Sequence, residues 1–409
     1  MRVRVSAFGT VLLVSLLLVL FPVCHLDAAV FRYGLDVLDA GGCKELAGKR
    51  VGLIANAAAL SGSGEPGYRV LLRHGIDLKF LMAPEHGFSL EREAGEKFGN
   101  TDVAGELKVY SLYGASRKPD VALLKKIDVL IFDLQDAGVR CYTYISTMKL
   151  AMEACRDAGV TFMVLDRPNP IAPIPAGGFM LEPSFESFVG TTEIPFLHRM
   201  TTGELALWMQ KRLYPGLRVK VIQMTGYRRD RFADELPGFS FRSPSPNLRD
   251  FETLLLYPAT VMLEATEVSE GRGTDAPFRI FGAPFIDDEA LLRELATYRL
   301  PGVDLHKATF TPVSGKFSGR ECHGVRLTIT DRRLFDPFMS GTAILLSLQK
   351  LYPAELDIDR KAKFFDQLAG TSRYRFMILK QRPIGEILDA AHGSVQAFES
   401  SSCDRFLYP

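Results

Sequence analysis

Residues 128–136 have the sequence DVLIFDLQD, a short apolar run that ends in acidic and amide side chains. Three further segments follow the same plan: RVGLIAN at 50–56, DLKFLMAPEH at 77–86 and TFMVLDRPN at 161–169. Near-continuous apolar strands of this kind are typical of a parallel sheet that is covered on both faces. Helical patterns between the runs supply the cover, so the sequence predicts an α/β fold with a doubly wound, Rossmann-like parallel sheet.

The pattern of strands and helices predicts two domains. We expect the Rossmann-like domain, which would carry the catalytic residues, to span residues 31–265. In residues 270–409 the strand patterns (307–311 and 324–330) and the helix patterns (287–298 and 337–351) do not alternate regularly. This mixture predicts a second, smaller α+β accessory domain that packs against the first.

The composition is that of an ordinary globular protein. Of 409 residues, 47% are hydrophobic and 24% are charged, which excludes a disordered chain, a collagen and a coiled coil. The 49 basic and 48 acidic residues nearly cancel, so no overall charge attracts nucleic acid. Six cysteines in so long a chain, with no CxxC pair, indicate neither a disulfide scaffold nor a zinc or redox site. We therefore expect no metal site and no nucleic-acid partner.

Residues 1–29 have the pattern of a signal peptide. Two arginines begin the segment, an apolar run from Val11 to Val23 follows, and the small pair Ala28-Ala29 ends it. The apolar run is too short for a membrane span. We therefore expect an exported protein, periplasmic or secreted, with no membrane partner beyond export. An uncleaved anchor and a lipoprotein attached at Cys24 are the alternatives.

The carboxyl ends of the four predicted strands carry most of the candidate chemistry. Right-handed crossovers bring these ends to one edge of the sheet, where ligands bind in open α/β folds. Carboxylates, an imidazole, guanidinium groups and aromatic rings would then line one cleft, a mixture that suits a sugar. The candidates are Asn56 after the first strand, Glu85 and His86 after the second, Asp133, Gln135, Asp136, Arg140, Tyr142 and Tyr144 after the third, and Asp166, Arg167 and Asn169 after the fourth.

Structural roles are the alternative for several of these residues. Asp133 or Asp166 would serve the fold alone if its carboxylate bonded loop amides or paired with Arg140 or Arg167. One of the two tyrosines could likewise belong to the core. Glu85 differs, because it stands between a proline and a His-Gly pair, in an abrupt turn that would present its side chain to the cleft. Loops of this kind carry sites more often than they carry packing, which favours a functional role for Glu85.

Residues 264–274, with the sequence EATEVSEGRGT, form a second group of candidates. Gly271 and Gly273 flank Arg272 and permit a close backbone approach, so that amides and a guanidinium could cradle an anion. A glycine-rich interdomain turn is the alternative. The candidates in this segment are Glu264, Ser269, Arg272 and Thr274.

One apparent cofactor motif does not fit its context. Residues 62–67 match GxGxxG in form, but the match begins six residues after the first strand and Pro66 interrupts it. A dinucleotide fingerprint follows its strand directly and opens a helix, so these residues are predicted to form a loop. The sequence contains no Walker loop, HExxH motif or GxSxG elbow, and we expect no cofactor.

Several longer strings resemble the exo-β-N-acetylmuramidase (NamZ-type) family and follow the family's order. Among them are PEHG (84–87), FDLQDAGVRCYTYISTM (132–148), VLDRPNPI (164–171), HRMTTGELA (198–206) and EATEVSEGRGT (264–274). The resemblance implies a Rossmann-like domain and a smaller domain that enclose a cleft. It also implies a glycoside hydrolase that removes terminal N-acetylmuramic acid from the non-reducing ends of peptidoglycan fragments, with this saccharide as its partner and without a metal or organic cofactor.

Glycoside hydrolysis generally uses two carboxyl groups on either side of an oxocarbenium-like transition state. Within the resemblance, Glu85 is the first candidate and is expected to act as the acid, with His86 and the tight turn helping it to hold a proton. The second carboxyl group is expected to be Glu264, Asp136 or Asp133, in that order.

The resemblance also implies how the substrate is bound. Arg272 or Arg140 is expected to pair with the lactyl carboxylate that distinguishes muramic acid from glucosamine, a task suited to a planar two-pronged donor. Tyr142 or Tyr144 would stack on the sugar ring. His198 lies in a matched string and is a further binding candidate.

Three departures from the family pattern occur, one of them at Glu267, where the family often has Asn. Ala57, Ala58 and Ala59 follow Asn56 where the family has His or Gln, Thr and Gly, and His198 is followed by Arg199 where the family has Gly. A non-catalytic muropeptide-binding protein on the same scaffold is therefore the alternative function, with a nucleotide-dependent transferase as a third. The sequence carries no signal for an oligomeric state.

Overall fold

The larger part of the chain is built on one seven-stranded sheet in the computed structural model, which describes residues 30–103, 107–402 and 406–409. The predicted signal peptide, residues 1–29, lies outside the described residues. The first six strands of this sheet are β1 (Arg50–Ala55), β2 (Asp77–Ala83), β3 (Thr101–Val103), β4 (Leu107–Ser111), β5 (Val129–Asp133) and β6 (Thr161–Leu165). The chain then forms a separate hairpin of β7 (Gly177–Met180) and β8 (Pro195–Leu197). It returns to the sheet with β9 (Val219–Ile222).

The order of strands confirms the predicted doubly wound sheet. Across the sheet the order is β3-β4-β2-β1-β5-β6-β9, and every neighbouring pair is parallel except β3 with β4. Counted along the chain, the six parallel strands run 3-2-1-4-5-6, which is the strand order of the Rossmann fold. The order therefore reverses between β1 and β5.

Both faces of this sheet are buried, which explains the continuous apolar runs. Helices α1 (Gly34–Ala40) and α2 (Gly67–Arg73) cover one face, and α3 (Val121–Leu124), α4 (Tyr144–Ala158) and α5 (Thr202–Leu213) cover the other. Side chains of β5 alternate between the two layers. Val129 and Ile131 join the apolar cluster of α1 and α2, whereas Leu130 and Phe132 join that of α4 and α5.

A smaller unit with its own antiparallel sheet, in the order β10-β12-β11, confirms the predicted second α+β domain. Its strands are β10 (Ile280–Ala283), which was not predicted, β11 (Val303–Phe310) and β12 (Cys322–Ile329). Helix α6 (Phe251–Thr260) precedes this sheet in the chain. The helices that follow are α7 (Asp288–Ala296), α8 (Pro337–Leu351), α9 (Pro353–Leu356), α10 (Ala362–Ala369), α11 (Ser372–Leu379) and α12 (Ile384–Ser402). Phe281 and Ile344 belong to the same apolar cluster as the α4 and α5 face, so the two units share a core. The exact limits, 31–265 and 270–409, stay a prediction.

The last described residues return to the parallel sheet. The hydroxyl of Tyr408 donates to Oδ2 of Asp166, just after β6, at 2.5 Å. The backbone N–H of Arg229 donates to the carbonyl of Pro409 at 2.8 Å. The chain end thus covers the carboxyl end of β6.

Candidate active site

A cavity of about 510 Å³ opens between the carboxyl ends of β2, β4 and β5 and the second unit. The sheet domain contributes the loops after these strands, and the second unit contributes the segment after α6, the Arg272 loop and α10. Its main polar and aromatic lining residues are Glu85, His86, Tyr113, Arg117, Tyr142, Thr143, Phe188, Ser245, Tyr257, Glu264, Arg272, Phe278, Phe364 and Gln367. Five of the residues proposed from the sequence are therefore brought together: Glu85, His86, Tyr142, Glu264 and Arg272.

Glu85 lies on the cavity wall, one residue beyond the proline that follows β2. His86 has a φ of 72°, so the chain turns abruptly directly after Glu85. Oε1 accepts a hydrogen bond from the backbone N–H of Gly95 at 2.8 Å, and Oε2 accepts one from the hydroxyl of Thr143 at 2.6 Å. Both oxygens of Glu85 are thereby fixed in orientation.

The imidazole of His86 is held by the same turn. Its Nδ1 lies 2.9 Å from the carbonyl oxygen of Arg92. Because a carbonyl can only accept, Nδ1 carries the proton. Burial lowers the pKa of His86, against the opposing effect of the neighbouring Glu85. The ring is therefore neutral near pH 7, with Nε2 as an acceptor.

Glu264 is the carboxyl group that the second unit presents to the cavity. Its Oε1 accepts two hydrogen bonds from Arg272, at 2.7 Å from Nη2 and 3.2 Å from Nε. Arg272 also lies 3.4 Å from Glu270, whose other oxygen is 3.0 Å from Nζ of Lys316. Burial raises the pKa of Glu264 in spite of the attraction of Arg272. Glu264 is thus suited to hold a proton. In either protonation state its Oε1 occupies donors of Arg272, whose charge is balanced by Glu270 when Glu264 is protonated.

The glycines of the 264–274 segment serve the loop that carries Arg272. Gly271 and Gly273 have φ angles of 81° and 78°, and a Cβ at Gly273 would collide with the backbone of Ser314. Ser269 and Thr274 do not line the cavity. The Ser269 hydroxyl accepts from the N–H of Gly271 at 3.2 Å, and the Thr274 hydroxyl donates to the carbonyl of Gly271 at 2.6 Å. Both residues shape the loop.

The two predicted tyrosines have different positions. Tyr142 lines the cavity, and its hydroxyl donates to the carbonyl of Pro244 at 3.1 Å. Tyr144 lies behind it, with the two ring centroids 4.7 Å apart in a T-shaped arrangement. Asn56 donates from Nδ2 to the Tyr144 hydroxyl at 3.0 Å. Tyr144 and Asn56 therefore support the wall from behind.

Arg140, predicted as a ligand of the substrate carboxylate, lies outside the cavity. Its side chain is 1% exposed and donates to four backbone carbonyls. Nη1 bonds Phe179 and Ile194, and Nη2 bonds Leu368 and Ala369. Burial lowers the pKa of Arg140 to about 10. In this position the guanidinium joins the β7–β8 hairpin to α10 and does not line the cavity.

Asp133 and Arg167 pair with each other, which was the structural alternative. Nε of Arg167 lies 2.5 Å from Oδ1 of Asp133, and both side chains are buried. Nη2 of Arg167 also donates to the carbonyl of Leu60 at 3.1 Å. Gln135 donates from Nε2 to the carbonyl of Pro168 at 2.7 Å. These three candidates connect the loops after β1, β5 and β6 and do not line the cavity.

The remaining candidates also lie away from the cavity. Asp136 accepts from the N–H of Gly138 at 2.7 Å and lies 3.2 Å from Nε2 of His198, which is fully buried. Asn169 donates to the carbonyl of Met200 at 3.1 Å. Asp166 directly follows β6 and faces α5 and the last described residues, not the cavity. Its carboxylate accepts from the N–H groups of Arg167 and Gly203 and from the hydroxyls of Thr201 and Tyr408.

Sequence reasoning missed several lining residues, including two that follow β4. Tyr113 and Arg117 follow this strand, and the guanidinium of Arg117 lies 4.7 Å from the Tyr113 ring and 4.0 Å from the Phe188 ring. Thr143 was missed because a threonine before a helix has the pattern of an ordinary cap. Tyr257 was missed because it lies inside the apolar helix α6. The string VYSLYG (109–114), which also resembles the family, was the signal that could have drawn attention to Tyr113.

The described residues contain little that points to other kinds of site. No group of three or more His, Cys, Asp or Glu there is placed to hold a metal ion. Cys43, Cys141, Cys155 and Cys322 are buried free thiols. In the same part of the chain, no helix combines the length and apolar character that a membrane span needs.

Known proteins with the same architecture match nearly the whole chain. Residues 51–252 match the family described as “Exo-beta-N-acetylmuramidase NamZ, N-terminal”, and residues 255–408 match its C-terminal counterpart. The peptidoglycan beta-N-acetylmuramidase NamZ of Bacillus subtilis (strain 168) is 39% identical over 379 residues, which cover 92% of this chain and 91% of the relative. Crystal structures of two DUF1343 family proteins from Bacteroides fragilis NCTC 9343 are also similar. The first has a TM-score of 0.85 and 31% sequence identity, and the match covers 93% of this chain and 99% of that one. The second has a TM-score of 0.73 and 28% sequence identity, and the match covers 92% of this chain and 99% of that one. The chain therefore belongs to the exo-β-N-acetylmuramidase NamZ family.

Proposed function

We propose that this protein is an exo-acting β-N-acetylmuramidase that releases terminal N-acetylmuramic acid from the non-reducing ends of peptidoglycan fragments. The observation that carries the proposal is the cavity in which Glu85 from one domain and Glu264 from the other are brought together. Its volume of about 510 Å³ falls within the range of small-molecule sites and would hold a single sugar residue. The relative from Bacillus subtilis, which bears the name of this activity, supports the substrate class.

The contacts of the two carboxyl groups support different roles for them. Hydrolysis needs one group that gives a proton to the leaving oxygen and one that acts in its ionised form. Glu264 is the better proton donor, because burial raises its pKa. Glu85 is bonded by the Gly95 N–H and the Thr143 hydroxyl, and such donors stabilise a carboxylate. We therefore assign the acid role to Glu264 and the ionised role to Glu85, the reverse of the first expectation for Glu85.

Hydrolysis of two substrates tests this assignment. One is 4-nitrophenyl β-N-acetylmuramide, whose leaving group needs little protonation, and the other is the disaccharide in which muramic acid is β-linked to N-acetylglucosamine. Glu264→Gln should lose far more activity on the disaccharide than on the nitrophenyl substrate. Glu85→Gln should lose activity on both. Glu289→Gln, which changes an exposed acid outside the cavity, is the matched control and should retain full activity.

Other outcomes would count against the proposal in distinct ways. The reverse pattern between the two variants would exchange their roles. Full activity in both variants would remove the cavity from the chemistry. Binding of muropeptides by the wild-type protein without any released sugar would favour the non-catalytic alternative.

We also propose that the protein is exported, to the periplasm or the medium. The basic, apolar and small-residue pattern of residues 1–29 supports this location, and a polymer of the cell wall as substrate would require it. Expression of the full chain in a bacterial host, followed by fractionation and mass spectrometry of the product, tests the proposal. A product found in the cytoplasm with residues 1–29 intact would contradict it.

A further inference from the structure

The positive charges of the cavity are not equally available to a ligand. Two guanidinium groups line it, those of Arg117 and Arg272. Arg272 is bonded to Glu264 at 2.7 Å and lies 3.4 Å from Glu270. His86 is neutral near pH 7 because burial lowers its pKa. Among the described residues, Arg117 forms no ion pair with a carboxylate, so it is the cation that an anionic ligand would meet unpaired.

Two aromatic rings hold Arg117 in place at the exposed rim of the cavity, where it is not bonded to any carboxylate of the described residues. The guanidinium carbon lies 4.0 Å from the centroid of the Phe188 ring and 4.7 Å from that of Tyr113. The two rings are 5.6 Å apart and tilted by 52°. A guanidinium that stacks through its flat face keeps its N–H edges for hydrogen bonds, and these edges match a carboxylate. The side chain therefore has the form of a preorganised anion clamp.

Tyr113 connects this clamp to the proposed reaction centre. Its ring lies against Arg117, while its hydroxyl interacts with both Glu85 and Arg117. A ligand that meets Glu85 with one part would thus present a neighbouring part to Arg117. On N-acetylmuramic acid, the lactyl ether is attached to C3, and only C2 separates C3 from the anomeric carbon. The lactyl carboxylate is therefore an anion close to the reacting carbon, and Arg117 is a cation that shares the Tyr113 hydroxyl with Glu85.

We propose that Arg117 binds the lactyl carboxylate of the muramoyl residue and selects it over a β-N-acetylglucosaminide. The inference rests on the proposed muramidase activity and names the residue that determines its specificity. It replaces the two residues first expected in this role. Arg140 is buried away from the cavity, and Arg272 is engaged by Glu264 and Glu270.

The test compares two substrates that differ only in this carboxylate: 4-nitrophenyl β-N-acetylmuramide and its lactyl methyl ester. The wild-type enzyme should prefer the free acid by about 10- to 100-fold in kcat/KM, the effect expected of hydrogen bonds between charged groups. Arg117→Gln should reduce this preference to near unity by losing activity on the acid alone. Arg117→Lys should keep part of it, because an ammonium retains the charge without the two-pronged geometry. Arg69→Gln is the matched control, since Arg69 also lies over a tyrosine ring, that of Tyr68, but outside the cavity.

The possible outcomes distinguish a failure of this inference from a failure of the proposed muramidase activity. Failure of the wild-type protein to cleave either substrate would refute the proposed function. Equal cleavage of acid and ester by the wild-type protein would refute carboxylate recognition and leave the muramidase activity standing. A wild-type preference that persists undiminished in Arg117→Gln, with an unchanged melting temperature, would overturn the assignment to Arg117.

Discussion

Replacing Arg140 with methionine should lower the free energy of unfolding by about 3–5 kcal/mol. Its guanidinium donates to Phe179 at 2.7 Å, Ile194 at 2.9 Å, Leu368 at 3.1 Å and Ala369 at 2.7 Å. The first two carbonyls belong to the β7–β8 hairpin and the last two to α10. One buried side chain thus connects the hairpin to the second unit, and its removal should weaken both.

Two opposing effects set this magnitude. A hydrogen bond from a charged donor contributes about 1.5–3 kcal/mol, and Arg140 makes four of them. Burial opposes them, because it lowers the pKa of Arg140 to about 10, which corresponds to a cost of about 3 kcal/mol for the charged form. Methionine fills the space of the stem but leaves the carbonyl oxygens without this donor. The balance of about 3–9 kcal/mol overlaps at its lower end with the range of about 3–5 kcal/mol measured when one partner is removed from a buried charged group, and we expect the lower end because water can reach some of the freed carbonyls.

Urea unfolding, followed by the fluorescence of the single tryptophan and by circular dichroism, measures the effect. Trp208 is buried in α5 and reports on the sheet domain. Arg140→Lys should lose about half as much as Arg140→Met, because an ammonium cannot reach all four carbonyls. Arg156→Met, at an exposed pair with Asp157, should lose at most about 1 kcal/mol. A loss below about 1 kcal/mol in Arg140→Met, together with a raised KM for the muramide, would refute this reasoning and restore a substrate-binding role.

Three further predictions concern the site and its supports. Burial raises the pKa of Asp166 from 3.8 to about 7, so its contribution to stability is full below about pH 4 and is lost as the pH rises to about 7, by about 4 kcal/mol. Asp166→Asn should remove this slope from the pH dependence of the unfolding free energy, and a variant that keeps the wild-type slope would contradict the shift. Thr143→Val removes one of the two donors to Glu85 and should lower kcat/KM by about tenfold at constant melting temperature, whereas Thr143→Ser should retain activity. Gly273→Ala forces a Cβ against Ser314 at a positive φ and should cost about 1–3 kcal/mol as well as muramide hydrolysis; unaltered hydrolysis would show that the Arg272 loop is not needed in this position.

The sheet could be predicted because burial on both faces removes polar residues from its strands. All five residues of β5 are buried, and so are all but the first residue of β1. β4 escaped prediction for the opposite reason. It lies next to the short edge strand β3, only Val109 in it is fully buried, and its sequence LKVYS has no apolar run. Since Tyr113 and Arg117 follow β4, the part of the site that this strand delivers was missed with it.

The placement of charged candidates could not be predicted from the sequence for a different reason. The local sequence around an acidic residue at a strand end is the same whether its carboxylate contacts a substrate or another side chain. Asp133 and Glu85 both follow buried strands, yet Asp133 pairs with Arg167 at 2.5 Å while Glu85 faces the cavity. Which partner a carboxylate meets depends on loops that are distant in sequence, and Glu264 reaches Glu85's cavity only through packing of the second unit.

The cavity does not lie at the point where the strand order reverses, because other side chains fill that point. In an open α/β sheet, the crevice between β1 and β5 is the expected ligand site. Here the Asp133–Arg167 pair lies in it, and Arg167 bonds the carbonyl of Leu60 from the loop after β1. The void that remains there, beside Tyr33 and Ala58, has a volume of about 10 Å³, which is too small for a sugar. Because buried charges close the crevice, the open space lies on the β2 and β4 side, where α10 and the Arg272 loop can cover it. A carboxyl group from each domain then faces one sugar-sized cavity, and separating the domains would dismantle the site even if each domain kept its fold.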